Sequence, residues 1–201
     1  PHPHRGFETV TFILEGDLAH KDNSGAESVI KAGGVQWMTA GRGLIHAEIS
    51  SADFKRQGGG LEILQLWVNL PADHKMVDPA YVGLQKPEIP TVSLEDGQID
   101  IAVVSGVWNG TKGALIPITD VALATISLKK NAVYQAAIPA GKNVFFYTVK
   151  GKLNVNGREV NMHDLVEFGH EGKLLQIEAL RDSLILLGHA TPFNEPIEAH
   201  G

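Results

Sequence analysis

Cysteine is absent from the 201 residues. That excludes disulfides, zinc–thiolate sites and iron–sulfur clusters, so any metal must be held by nitrogen and oxygen. Positive charge is scarce: 17 Lys and Arg stand against 23 Asp and Glu, a net charge of −6. An acidic surface repels phosphate backbones, which removes direct nucleic-acid binding from the expected functions. No apolar run is long enough to span a bilayer, and no signal peptide is evident, so no membrane partner is expected. Nothing points to secretion. The expected location is the cytoplasm, with the nucleus open to a eukaryotic chain. The chain opens at Pro1 with no methionine, which suggests that the native sequence continues upstream.

What is present is an ordinary globular composition, 43% hydrophobic and 20% charged, with 22 Gly and 10 Pro. It suffices for one large or two small domains with cores of their own. Alternating, β-branched patterns dominate. Strands are expected over 8–14, 26–31, 35–38, 44–49 and 61–68, separated by Gly-rich turns and a polar loop over 50–60. They resume at 100–104 and 121–128 after a mixed, proline-containing stretch. The second half repeats the first: Phe145 to Leu153, broken at Gly151, matches Thr11 to Leu18, broken at Gly16. Asn156-Gly157 is a hairpin turn signal. The expectation is an all-β chain with two similar barrels in tandem: residues 1–72, a connecting segment 73–99, and residues 100–201. Setting Gly151 on Gly16 puts Ala137 and Pro139 where His2 and His4 stand, so the repeat is structural rather than chemical.

His2-Pro3-His4 places two imidazoles two residues apart, on one face of a strand. His46-Ala47-Glu48 repeats that spacing with an imidazole and a carboxylate. If the two strands are neighbours, the four side chains converge. Such a set with open positions suits Fe(II), and Mn, Ni, Cu, Co and Zn can use the same donors. Nine histidines placed at random give about 0.4 His-x-His pairs, so spacing alone leaves open that these are merely exposed histidines near the start of the chain. Glu8 is the alternative carboxylate. It shares the even-numbered face with His2 and His4 if Gly6 inserts no bulge, and is read as a partner behind the ligands. His20, His74, His163, His170 and His200 read as solvated loop or terminal residues, and His189 as packed at a barrel end. Trp37 and Trp67 read as core. Phe7, Phe12 and Met38 either line a substrate pocket or fill the barrel.

The blocks His2 to Thr11, Gln36 to Glu48, Leu64 to Pro71 and Phe193 to Ile197 resemble the pirin family of the cupin superfamily. The resemblance implies a bicupin. Its N-terminal barrel would hold one iron through His2, His4, His46 and Glu48, with Glu8 not a ligand, and its C-terminal barrel would lack metal. In that family strands precede the His-x-His block and a tail follows Asn-Glu-Pro-Ile; neither is found here. The resemblance also implies two functions. One is a quercetin 2,3-dioxygenase-type cleavage of a flavonol-like substrate by O2, releasing carbon monoxide, with Glu48 as general base. The other is a metal- or redox-sensing module that binds a transcription factor or a metabolic enzyme.

Overall fold

The computed structural model describes residues 1–196; Ile197 and His200 lie outside that range. The chain divides into two compact units. One takes in Pro1–Ile89, the other Pro90–Asn194, and the described end from Glu195 belongs with the first. No described helix is long and apolar enough to cross a membrane.

The first unit contains β1 (His2–His4), β2 (Phe7–Glu15), β3 (Asp17–Asp22), β4 (Glu27–Lys31), β5 (Val35–Thr39), β6 (Leu44–Ile49), β7 (Glu62–Asn69) and β8 (Ala80–Leu84). They form two four-stranded sheets, ordered β1-β6-β3-β4 and β7-β2-β5-β8, with every pairing antiparallel. Strand β2 runs through Thr9, Val10, Thr11 and Ile13, the β-branched types that fit a pleated surface, and its residues from Glu8 to Ile13 are buried.

Two expectations are corrected in this unit. The polar stretch 50–60 is not all loop: it contains one short helix, α1 (Ala52–Gln57). Ser51 caps it, its hydroxyl accepting from Phe54 N at 3.0 Å. The Asp17 carboxylate in turn accepts from the backbone N and hydroxyl of Ser51. The segment 73–99 is likewise more than a connector. It supplies β8, which pairs β5 from Val35↔Leu84 to Thr39↔Ala80, and the first strand of the second unit.

The second unit contains β9 (Thr91–Leu94), β10 (Ile99–Ser105), β11 (Val107–Trp108), β12 (Thr111–Lys112), β13 (Ala122–Leu128), β14 (Val133–Ala137), β15 (Asn143–Lys150), β16 (Lys152–Val155), β17 (Arg158–Asn161), β18 (Leu165–Glu167), β19 (Leu174–Ala179) and β20 (Ser183–Ala190). Its sheets are β14-β19-β16-β17 and β18-β15-β20-β13-β10-β9, beside the small β11-β12 pair. The first reproduces β1-β6-β3-β4 strand for strand, and β18-β15-β20 reproduces β5-β2-β7. Even the irregularities recur. The β2–β7 register shifts between Ile13 and Glu15 before Gly16 (φ +82°), and the β15–β20 register between Thr148 and Lys150 before Gly151 (φ +98°). Both glycines take the left-handed backbone that lets one strand turn directly into the next. The core of this unit is an apolar cluster around Ile101, Phe146, Leu153, Ile177, Ile185 and Leu187, each fully buried.

The repeat explains why the two barrels differ chemically. In the first, His46 lies opposite His2 and Asp22, and Glu48 opposite His20. Following the same ladder in the second gives Leu175 opposite Ala136, and Ile177 opposite Val155. Ile138 continues that ladder, its N–H donating to Lys173 O. Ala136 and Ile138, not Ala137 and Pro139, therefore stand where His2 and His4 stand. The glycine alignment slips by one residue because the chain between β14 and Gly151 is not the length of that between β1 and Gly16. All five positions are buried and apolar, so hydrophobic packing replaces polar convergence.

Candidate metal centre

Two short strands build the cluster. Strand β1 is held on β6 in the register His2↔His46, Pro3↔Ile45, His4↔Leu44. Directly opposed residues in an antiparallel pair share a face, so His2, His4 and His46 point the same way. His2 Nε2 lies 2.8 Å from His4 Nε2, and 3.0 Å from His46 Nε2. His4 and His46 are buried while His2 is exposed, so one side of the cluster opens to solvent. Burial, then its histidine neighbours, holds the His46 pKa down to about 4, and burial and His2 lower that of His4. His4 and His46 are therefore held toward the neutral form, in which each ring has one nitrogen with a free lone pair.

Glu48 occupies the next position on the same face of β6, but its carboxylate is engaged elsewhere. Gln36 Nε2 donates to one oxygen, and Gln65 Nε2 to the other at 2.9 Å. The described residues contain two clusters of three groups close enough to share an ion: His2, His4 and His46, and His20, His46 and Glu48. His46 belongs to both. The structure thus brings the three expected histidines together and sets Glu48 beside His46 in the adjoining group. Burial raises the Glu48 pKa above its ordinary value, and the Gln65 amide opposes that rise.

The expectation for Glu8 is corrected. Gly6 adopts φ +80° between β1 and β2, and the chain passes there from one sheet to the other. Face parity does not survive the change. Thr9 and Thr11 look toward Gln65, Trp67, Gln36 and Met38, whereas Glu8 pairs with Thr39 and Val68 on the opposite face of β2. There Thr39 Oγ1 donates to Glu8 Oε1 at 2.6 Å and Oε2 is buried without a partner. Burial raises the Glu8 pKa, and the Thr39 hydroxyl and Trp37 indole oppose that rise.

The proposed pocket residues divide the same way. Phe7 packs edge-on to His4 (centroids 5.0 Å) and lies 4.9 Å from Trp67. Met38 shares the face of Thr9 and Trp67. Phe12 lies on the Glu8 face and is core. Trp67, read as core, is instead 63% exposed and approaches His4 at 5.6 Å; Trp37 is core as expected.

His20 is the largest miss. Read as a solvated loop residue, it is buried on β3 with only 1% exposure, and its ring stacks on Tyr81 at 4.0 Å and 14°. The alternation His20-Lys21-Asp22 was the available signal: His20 and Asp22 face inward, and Lys21 is exposed. Gln36, Gln65 and Tyr81 were missed too. Lone amides inside the apolar runs Val35 to Met38 and Leu64 to Leu66 marked the first two. Tyr81 lay in the supposed connector. Its hydroxyl donates to Gln36 Oε1 at 3.0 Å, and Trp67 Nε1 donates to Gln65 Oε1 at 3.0 Å. Both amides are thereby oriented with their NH2 groups on Glu48. His74, His163 and His170 are exposed or partly exposed, and His189 packs against Trp108.

A cavity of about 210 Å³ at the second barrel is lined by Ile138, Val144, Phe168 and Leu175, and among the described residues no cluster of histidines and carboxylates converges there.

Comparison with known proteins agrees with this architecture. The sequence profile described as Pirin matches residues 1–68, and that described as Pirin C-terminal cupin domain matches residues 123–201. A pirin-like protein of Caulobacter vibrioides is 39% identical over all of this chain and 71% of its own length. A crystal structure of quercetin 2,3-dioxygenase from Acinetobacter baumannii superposes with a TM-score of 0.95 at 35% identity, covering 100% of this chain and 70% of that one. A bacterial pirin from Escherichia coli, solved in complex with nickel(II), superposes with a TM-score of 0.74 at 26% identity, over 95% of this chain and 75% of its own.

Proposed function

Because the chain belongs to the pirin family, we propose that His2, His4, His46 and Glu48 hold one metal ion, Fe(II) in this reading, for an O2-dependent cleavage of a flavonol-like ring of the quercetin 2,3-dioxygenase type. The observation that carries the proposal is the approach of three imidazole nitrogens. Two nitrogens bound at right angles to one ion, each at about 2.1 Å, lie roughly 3.0 Å apart. His2 Nε2 stands at 2.8 and 3.0 Å from its two partners. A shared proton can satisfy one such pair, but the third nitrogen is left with a lone pair that a cation satisfies. The donor set, nitrogen-rich with one carboxylate and no sulfur, fits Fe(II), Ni(II) and their neighbours.

When bound, the ion lowers the pKa of a substrate hydroxyl by Lewis acidity. The protein residues do the rest. Glu48 is the proton acceptor: burial makes its carboxylate more basic than usual, and each oxygen can accept beyond its glutamine bond. Gln36 and Gln65 fix its orientation, and are themselves fixed by Tyr81 and Trp67. Phe7 and the exposed face of Trp67 offer a wall beside His4 on which a flat ring system can stack.

The test is anaerobic loading with one equivalent of Fe(II) or Ni(II), followed by quercetin and O2. Carbon monoxide and the depside are the expected products. The absence of both products from a stoichiometrically loaded, folded protein would rule the reading out.

A further inference from the structure

Behind His46 lies a chain of hydrogen-bonding groups that the proposed chemistry does not use. His46 Nδ1 faces His20 Nδ1 at 3.5 Å, and His20 Nε2 lies 2.9 Å from Asp22 Oδ2. His20 is 1% exposed and Asp22 8%. The other oxygen, Asp22 Oδ1, accepts from Ser24 N at 2.8 Å, Ser24 Oγ at 2.6 Å and Ala26 N at 3.2 Å. The carboxylate is therefore locked in place, with Oδ2 aimed at His20.

Proton positions follow link by link. A carboxylate only accepts, so the neutral His20 ring must carry its proton on Nε2. Its Nδ1 is then a bare lone pair. The nitrogen facing it, His46 Nδ1, must hold a proton, since two opposed lone pairs repel. That leaves His46 Nε2 bare, on the side where His2 and His4 converge. We propose that Asp22 and His20 are positioning residues that hold His46 in its Nδ1–H form, so that its Nε2 lone pair faces the His2–His4 cluster and is available to a metal ion. The Tyr81 ring, stacked on His20, fixes the plane of the middle link. Partners of this kind behind a ligating histidine typically change metal affinity by about 10–100-fold. The inference rests on the metal reading above for that consequence; the tautomer itself does not depend on it.

The sharpest test is Asp22→Asn. The asparagine carbonyl can take over the three bonds at the Oδ1 position, which preserves the turn. Its NH2 then faces His20 Nε2 as a donor. His20 must shift its proton to Nδ1, and His46 must move its own to Nε2, which covers the lone pair. Long-range 1H–15N spectra of the histidines in the metal-free chain read this directly. Wild type should show His46 as Nδ1–H, and Asp22→Asn should show it as Nε2–H. Nickel(II) affinity by chelator competition should fall by about 10–100-fold. His20→Phe, which keeps the stack on Tyr81 but offers no acceptor, should lose the preference for either form. Retention of the Nδ1–H form in a folded Asp22→Asn chain, or unchanged nickel affinity once the form has inverted, would overturn the proposal. Inversion of the His46 tautomer in Asp22→Asn together with no nickel uptake by the wild-type chain would support the relay and count against the metal reading.

Discussion

Acidification of the metal-free chain should cost stability through His46, by an amount that can be worked out. The side chain is 1% exposed and faces three other imidazoles, which together with burial hold its folded pKa at about 4, against 6.5 for the unfolded chain. Between those values the unfolded chain takes up a proton that the folded chain refuses. Stability is therefore undiminished above pH 6.5 and is lost as pH falls toward 4. Taking both pKa values, the loss at pH 4.5 is about 2.5 kcal/mol, a sizeable share of a total of roughly 5–15 kcal/mol. His4, also lowered, acts in the same direction. Glu8 and Glu48, whose pKa values are raised, oppose it: they bind protons more readily when folded and lose stability as pH rises. The lowered Asp22 and Asp120 matter only as pH falls below the ordinary carboxylate range, outside this window. Urea unfolding from pH 7 to 4.5, run in parallel on wild type and His46→Gln, isolates the histidine contribution. The variant should lose about 2 kcal/mol less than wild type over that range. Parallel slopes in the two proteins would refute the reasoning, because they would mean that His46 accepts a proton in the folded barrel as easily as outside it.

Other consequences are read at single positions. Gln65→Leu should move the acid limb of the flavonol-cleavage profile to higher pH, since its amide opposes the effect of burial on Glu48; an unmoved limb would argue against Glu48 as the proton acceptor. Ser105→Ala should destabilise the second unit by about 1–3 kcal/mol in chemical denaturation. The buried hydroxyl donates to Val121 O at 2.8 Å and accepts from Leu123 N at 3.1 Å, and its loss removes a partner from each of these two backbone groups. Gly151→Ala should cost more than about 2 kcal/mol in the same assay. A Cβ there would lie 2.1 Å from Ser183 Oγ and 2.5 Å from Asp182 O, on a backbone at φ +98°; a wild-type midpoint would show that the turn relaxes freely.

The sequence carried much of this arrangement, for identifiable reasons. Strand alternation and Gly-rich turns exposed the tandem repeat, because in a two-sheet barrel each strand has one inward face. The pairs His2/His4 and His46/Glu48 were visible because a spacing of two survives folding within one strand. What failed were inferences that crossed a strand boundary. Glu8 kept the right parity in sequence but not in space, since the chain turns at Gly6 into another sheet. His20 was hidden because its partners, His46 and Tyr81, are 26 and 61 residues away along the chain. The alternation of β3 said only that His20 shares a face with Asp22. Trp67 was assigned to the core from its apolar neighbours, yet it is exposed on the face that Thr9 and Met38 share, beside His4.

Metal stoichiometry tests the grip of the four side chains most directly. Purified chain, stripped and then equilibrated with nickel(II), should retain one equivalent by elemental analysis after dialysis. His4→Ala and His46→Ala, each confirmed as folded by circular dichroism, should retain almost none. A full equivalent held without His4 or His46, or no metal held by the unaltered chain, would contradict the assignment of the ion to these residues.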